Sequence, residues 1–219
     1  MFALLLGVAS AVQAKAPTDH SAYEVVAEAT VSIQDILTQA PSYAADDPER
    51  YYAALHQVLD PVIDYRGFAR GVMGAYASSE RYRSLDKTGR AQLRKQLNRF
   101  TTVIKGSLVE TYGKGLLAFA GSKIETLPVK AEDHSKRVVS IAQKVYAAGG
   151  APKTVNYLMA QNKKGQWQLR NVVIEAVNLG KVYRNQFESA ARRENGDLDA
   201  VIGQWEGEAP EVVTEAATQ

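Results

Sequence analysis

The chain has no cysteine. That excludes a disulfide framework, thiolate catalysis and cysteine-held metal. Histidine is scarce: His20, His56 and His134 are the only three. No two of them have the His-x-x-His or His-Glu-x-x-His spacing that grips a metal from one helix face. No Gly-x-Ser-x-Gly, P-loop or Gly-x-Gly-x-x-Gly string occurs, so nucleophile-elbow, nucleotide-triphosphate and dinucleotide chemistry have no anchor. No apolar run reaches the roughly 20 residues of a membrane-spanning helix. The net charge is only +2, which gives no basic face for nucleic acid.

What is present is apolar material, 46% of 219 residues, ample for the core of one domain. No internal repeat or interdomain linker interrupts it. The N-terminus, "MFALLLGVASAVQAKAPTDH", opens with an apolar run from Phe2 to Val12 and then reads Val12-Gln13-Ala14. Small residues there suit a signal peptidase. The expected organisation is a signal peptide at 1–14, a single domain at 15–207 and a disordered, acidic tail at 208–219. The mature protein is expected to be soluble, exported and monomeric.

Residues 21–40 place Val26, Thr30, Ile33 and Leu37 on one helix face, and Pro41 ends the pattern. Asp47 and Pro48 read as the cap and first residue of a second helix striped by Tyr51, Leu55 and Val58. A short helix follows over "YRGFARGVMG", with Phe68, Val72 and Met73 on one side. The longest helix carries Leu93, Leu97, Phe100, Ile104 and Leu108, and Gly113 and Gly115 are expected to stop it.

After Gly121 the apolar period shortens to two. Val139, Ile141 and Val145 alternate in one segment, Val155, Tyr157 and Met159 in the next, Trp167 and Leu169 in a third. The apolar parity of the third then slips to Val172 and Ile174, which predicts a β-bulge near Asn171. With "KIETLPVKA" as a first strand, these segments predict a four-stranded antiparallel meander. Helix returns with Leu179, Val182, Tyr183, Phe187 and Ala190 on one face, and a last short helix covers "DLDAVIGQW". The fold class is α+β: helices on one face of a curved sheet around a cone-like cavity, with a C-terminal helix returning across it.

Chemistry is harder to find. Asp60 and Asp64 flank Pro61 and read as turn and capping residues. Glu175 sits in an apolar strand with a parity that points it outward. No second acid or base joins any of them, so no catalytic residue is named. The apolar positions fit either a filled core or a cleft held open by glycines such as Gly67, Gly71 and Gly74. Three functions stay open on these residues: a lipid carrier, an isomerase- or dehydratase-like enzyme on a cone-shaped fold, and an adaptor with a filled core.

The string "GQWQLRNVVIEAVNLGKVYRNQF" narrows them. It resembles the C-terminal signature of the MlaC family, the toluene-tolerance auxiliary family, at Gly165, Trp167, Val172, Ile174, Glu175, Val177, Leu179, Tyr183, Arg184 and Phe187. "VIDYRGFARGVMGAY" resembles an earlier family segment at Asp64, Ala69, Val72 and Gly74, with Met73 where Leu is usual. Asn171, Ala176 and Asn178 depart from the usual Asp, Gly and Ser, which is expected to soften the strand-to-helix turn. The resemblance covers about residues 20–205. It implies a periplasmic phospholipid carrier, with no cofactor beyond its lipid cargo. It implies exchange with an inner-membrane Mla ABC transporter complex and an outer-membrane lipoprotein–porin complex, which together maintain outer-membrane lipid asymmetry. The expected lipid-facing residues are the apolar positions of the sheet (Val139, Ile141, Val155, Tyr157, Met159, Trp167, Leu169, Val172, Ile174) and of the helices (Phe68, Val72, Met73, Leu97, Phe100, Ile104, Leu108, Tyr183, Phe187). Arg184 is read either as a solvated side chain or as a rim cation near the lipid phosphate.

Overall fold

The computed structural model describes residues 21–129, 133, 135–146 and 151–207. The expected signal peptide and tail, with His20 and His134, lie outside them.

Helix α1 (Ala22–Gln39) starts at a capping box: Ser21 Oγ accepts the Glu24 N–H while the Glu24 carboxylate accepts that of Ser21. Pro41 cannot continue it, and the chain tightens into a single 3₁₀ turn. Helix α2 (Pro48–Leu59) is capped by Asp47, and α3 (Tyr65–Met73) by Asp64, whose carboxylate accepts the Gly67 N–H at 2.8 Å. A short α4 (Ser79–Ser84) precedes the long α5 (Lys87–Leu116). Helices α6 (Leu179–Arg193) and α7 (Leu198–Gly207) close the described fold.

Between α5 and α6 lies one antiparallel sheet in the order β1-β2-β3-β4-β5. Its strands are β1 (Lys123–Thr126), β2 (Val138–Tyr146), β3 (Lys153–Gln161), β4 (Trp167–Ile174) and β5 (Val177–Asn178). The expected four strands become five because Glu175, at φ 52°, turns the chain back and lets Val177 pair with Ile174. Two residues are too few to show a period. The bulge is where the parity slip places it. Leu158 pairs with Asn171 and Met159 with Leu169, so Arg170 is the extra residue.

Three apolar clusters hold these parts together. The largest joins α3, α5, α6 and α7 around Phe100, Tyr183, Phe187 and Trp205. The Phe100 ring lies 4.9 Å from that of Phe187 and 5.2 Å from that of Trp205. A second sets α1 (Ala22, Val26) on Val139, Ile141 and Met159 of the sheet. A third ties α1 to α2 and α5 through Leu37, Leu55 and Val109. Gly113 belongs to this last contact rather than to a helix stop, for α5 runs on to Leu116. A Cβ there would lie 3.0 Å from Leu55 and 3.2 Å from the Tyr52 ring, and the Tyr51 hydroxyl donates to the Gly113 carbonyl at 2.8 Å. Glycine serves close helix packing at this point.

The α2–α3 corner is fastened twice. Leu169 N–H donates to the Val62 carbonyl and Asp64 N–H to that of Leu169, which lays the corner beside β4. On the other side Asp60 meets Lys105 of α5 at 2.5 Å and His56 at 3.1 Å. Burial alone would raise the Asp60 carboxyl, but hydrogen bonds and charge from Lys105 and His56 outweigh it and hold the group below its usual range.

Two outcomes follow for stability. Phe100→Ala removes the centre of the aromatic cluster and is expected to cost about 3–5 kcal/mol in urea unfolding. For Asp60 the sign comes from its depressed folded pKa. The stabilisation is present above the unfolded carboxylate value, about 3.9, and is lost as pH falls through the folded one. Wild type should therefore unfold at higher urea than Asp60→Asn at pH 7, with the gap closing below about pH 4. Its size is small, because the carboxylate is 36% exposed. Equal midpoints at pH 7 would show that the fastening contributes nothing.

Candidate functional site

Residues directly opposite in an antiparallel pair share a face. The register therefore gathers Val139, Ile141 and Gln143 of β2, Met159, Tyr157 and Val155 of β3, and Leu169, Val172 and Ile174 of β4 on the face that meets α1. Its one buried polar side chain, Gln143, is satisfied by donating to Thr30 and Thr126 hydroxyls at 2.7 and 2.9 Å. These positions carry no carboxylate, histidine or lysine. Nothing on them can donate or accept a proton in catalysis near neutral pH.

The expected lipid-facing residues divide into two groups. Val72, Met73, Leu97, Phe100, Ile104, Tyr183 and Phe187 are buried within the helical cluster, and Val139, Ile141 and Met159 within the α1–sheet cluster. Eight others keep accessible surface: Phe68, Leu108, Val155, Tyr157, Trp167, Leu169, Val172 and Ile174. They do not form one packed layer. Tyr157, Trp167 and Leu169 fringe the α1–sheet cluster, whereas Phe68, Leu108, Val172 and Ile174 fringe the helical one. The divide between the clusters crosses β4 at the bulge, between Leu169 and Val172.

Tyr157 stands at that divide, opposite Ile141 on one side and Val172 on the other. Burial pushes its phenol up to about 12, and the residue keeps some accessible surface. Strand β4 agrees, since all eight of its residues are half-buried. In a sheet sealed on its inner face, alternate residues would be fully covered.

The helices add residues that the sequence reading left unassigned. Val25 borders the α1–sheet cluster, and Val103, Tyr112 and Val177 border the helical one. Helical spacing was the available signal for Val25, Val103 and Tyr112; for Val177 it was the family resemblance alone. Burial raises the Tyr112 phenol, offset in part by the neighbouring Tyr183 hydroxyl.

The polar residues of the junction are structural. Arg170 meets the Asp64 carboxylate at 2.8 Å and so ties the bulge to the α3 cap. Glu175 lies not in the strand but in the turn after β4, where it is exposed and its carboxylate accepts the Thr154 N–H. Asn171 and Asn178 do not soften the turn. Asn171 donates to Asn178 Oδ1 at 2.9 Å and accepts the Gly180 N–H at 2.9 Å, while Asn178 caps α6 through Lys181. Two carboxamides complement each other here as donor and acceptor, which stiffens the junction. Arg184 is exposed on α6 and donates Nε–H to the Gly71 carbonyl of α3 at 2.7 Å. It lies outside the half-buried apolar band. Among the described residues no three His, Asp or Glu side chains gather to hold a metal ion, and no helix is long and apolar enough to cross a membrane.

Known proteins share this architecture. A solved structure of the phospholipid-binding protein from Ralstonia solanacearum, in complex with a phospholipid, superposes with a TM-score of 0.68 at 17% identity, over 85% of this chain and 99% of that one. The toluene tolerance protein ttg2D of Pseudomonas putida is 32% identical over 186 residues, 85% of this chain and 80% of that protein. The model of the MlaC protein family matches residues 27–207. Nearly all of the described fold lies within that match, and the chain belongs to the MlaC family.

Proposed function

We propose that this protein is an exported, periplasmic carrier that holds a phospholipid by its acyl chains and is not an enzyme. The chains lie against the inner face of β3 and β4, in the divide between the α1–sheet and helical clusters. The observation that carries this reading is the set of apolar residues Val155, Tyr157, Val172 and Ile174, paired on one sheet face and only partly buried. Two comparisons support it: the family match, and the phospholipid held by the Ralstonia protein of the same fold.

The energetics set the need. Each methylene removed from water gains about 0.8 kcal/mol. Two chains of about 15 methylenes would cost on the order of 24 kcal/mol to expose. Lipid therefore crosses an aqueous compartment only when covered. A wall without charged groups exchanges chains with a bilayer at nearly balanced free energy. In the proposed cycle the carrier moves lipid between an outer-membrane lipoprotein–porin complex and an inner-membrane ABC transporter complex, and so maintains lipid asymmetry.

Native mass spectrometry of protein purified from the periplasm should show a bound two-chain phospholipid. Val155→Trp should lower that lipid several-fold while unfolding stays cooperative. If Val155 were instead part of a filled core, the added rings would cost about 1–3 kcal/mol with no lipid to lose. Lipid-free wild type, or a Val155→Trp protein as fully loaded as wild type, rejects the reading. Export has its own check. N-terminal sequencing of the periplasmic form is expected to begin at or near Lys15, and an intact Met1 in the membrane fraction would contradict it.

A further inference from the structure

Arg184 belongs to the motif that marks the family, yet the apolar band leaves it out. It lies over the last turn of α3, where its Nε–H donates to the Gly71 carbonyl. There it borders a surface groove of about 380 Å³ whose lining includes Gly67, Arg70, Gly71, Gly74, Ser79 and Glu188.

Two of the three glycines answer to needs inside the chain. A Cβ at Gly67 would stand 2.2 Å from the Asp64 carboxylate and 2.7 Å from the Arg170 guanidinium. Gly74 adopts φ 55° at the end of α3, where a side chain would be strained. Gly71 is different. It lies inside α3, where glycine is less stable than alanine. A Cβ there would meet nothing nearer than Arg184 Nη2 at 4.0 Å. No contact within the described chain requires this residue to be small. The space it leaves opens into the groove.

Charge indicates what fills that space. Arg70 is exposed and forms no ion pair among the described residues, and Arg184 has only Nε committed to Gly71. Glu188 is the one carboxylate in the lining. That lining is mostly glycine, alanine, serine and charge. It offers no large apolar side chain to insert in a bilayer. A protruding protein segment can approach the backbone at Gly71 and place carboxylates by Arg70 and Arg184 while clearing Glu188.

We propose that the groove between α3 and α6 is a docking site for an acidic segment of a protein partner, held in close backbone contact at Gly71. The proposal rests on the carrier reading only in what the partner does, which is to exchange lipid with this protein. The test is independent of lipid. Benzoylphenylalanine at Ala75, exposed in the groove lining, is photolysed in cells exporting the full chain. The expected result is one discrete protein adduct whose cross-linked peptide carries net negative charge. Gly71→Leu and Arg70→Glu should each reduce its yield at least tenfold. Gly71→Ala should raise the melting temperature by about 2–4 °C, which confirms that the glycine is not kept for folding. The proposal is overturned by an adduct that survives Gly71→Leu and Arg70→Glu, by a basic cross-linked peptide, by adducts to lipid alone, or by no adduct. Native mass spectrometry of the same proteins separates the two ideas. Lipid-free wild type defeats the carrier reading, whereas the adduct pattern alone decides the groove.

Discussion

The fold turns on one surplus residue. Strand β4 carries Arg170 where β3 has no partner for it. An unpaired residue bends and twists its strand, and here its side chain is also put to use. The guanidinium reaches the carboxylate of Asp64, which caps α3. The Asp64 N–H and the Val62 carbonyl are both bonded to the Leu169 backbone. One irregularity therefore curves the sheet, sets where α3 starts and divides Leu169 from Val172. The ion pair is largely shielded from water, with the Asp64 side chain 19% exposed. Removing one partner would leave a poorly solvated charge, so the three consequences are locked together.

The bulge was legible because a period-two pattern cannot change phase without an extra residue. Trp167 and Leu169 keep one parity, Val172 and Ile174 the other. Its partner was not legible, since Asp64 is distant in sequence and its capping role hides its pairing. Strand β5 and helix α4 escaped notice for a simpler reason. Two residues show no period, and "SERYRS" has no apolar stripe. Gly113 misled because its composition suits a helix end, while its actual constraint, Leu55 of α2, is tertiary. At the site, parity identified which side chains face inward. It carried no information on how tightly they are covered. Phe187 and Ile174 look alike in sequence, yet one is wholly buried among aromatic rings and the other keeps accessible surface.

That unequal covering locates the stability of the fold. Aromatic residues from α5, α6 and α7 meet at ring separations of 4.9–6.2 Å, and such pairs add to the free energy of area burial. The sheet side has no comparable density. Larger side chains on β3 and β4 would bury more apolar area, at roughly 25 cal/mol per Å², and would fill the divide at Tyr157. In the proposed carrier that divide stays open to acyl chains. The helical cluster and the Asp64–Arg170 fastening would then supply the rigidity of the fold.

The same division explains a strand-to-helix junction without chemistry. Its polar residues are occupied in building: Asn171 and Asn178 clamp the turn, Glu175 holds β3, and Arg184 covers a carbonyl at the end of α3. None of these groups faces the apolar band. A buried donor or acceptor there, left unpaired whenever the band held only hydrocarbon, would cost about 1–3 kcal/mol. It would favour the loaded or the empty state according to which one satisfied it. With these groups on the outer side of the junction, the inner wall proposed for the acyl chains stays close to a bilayer in character.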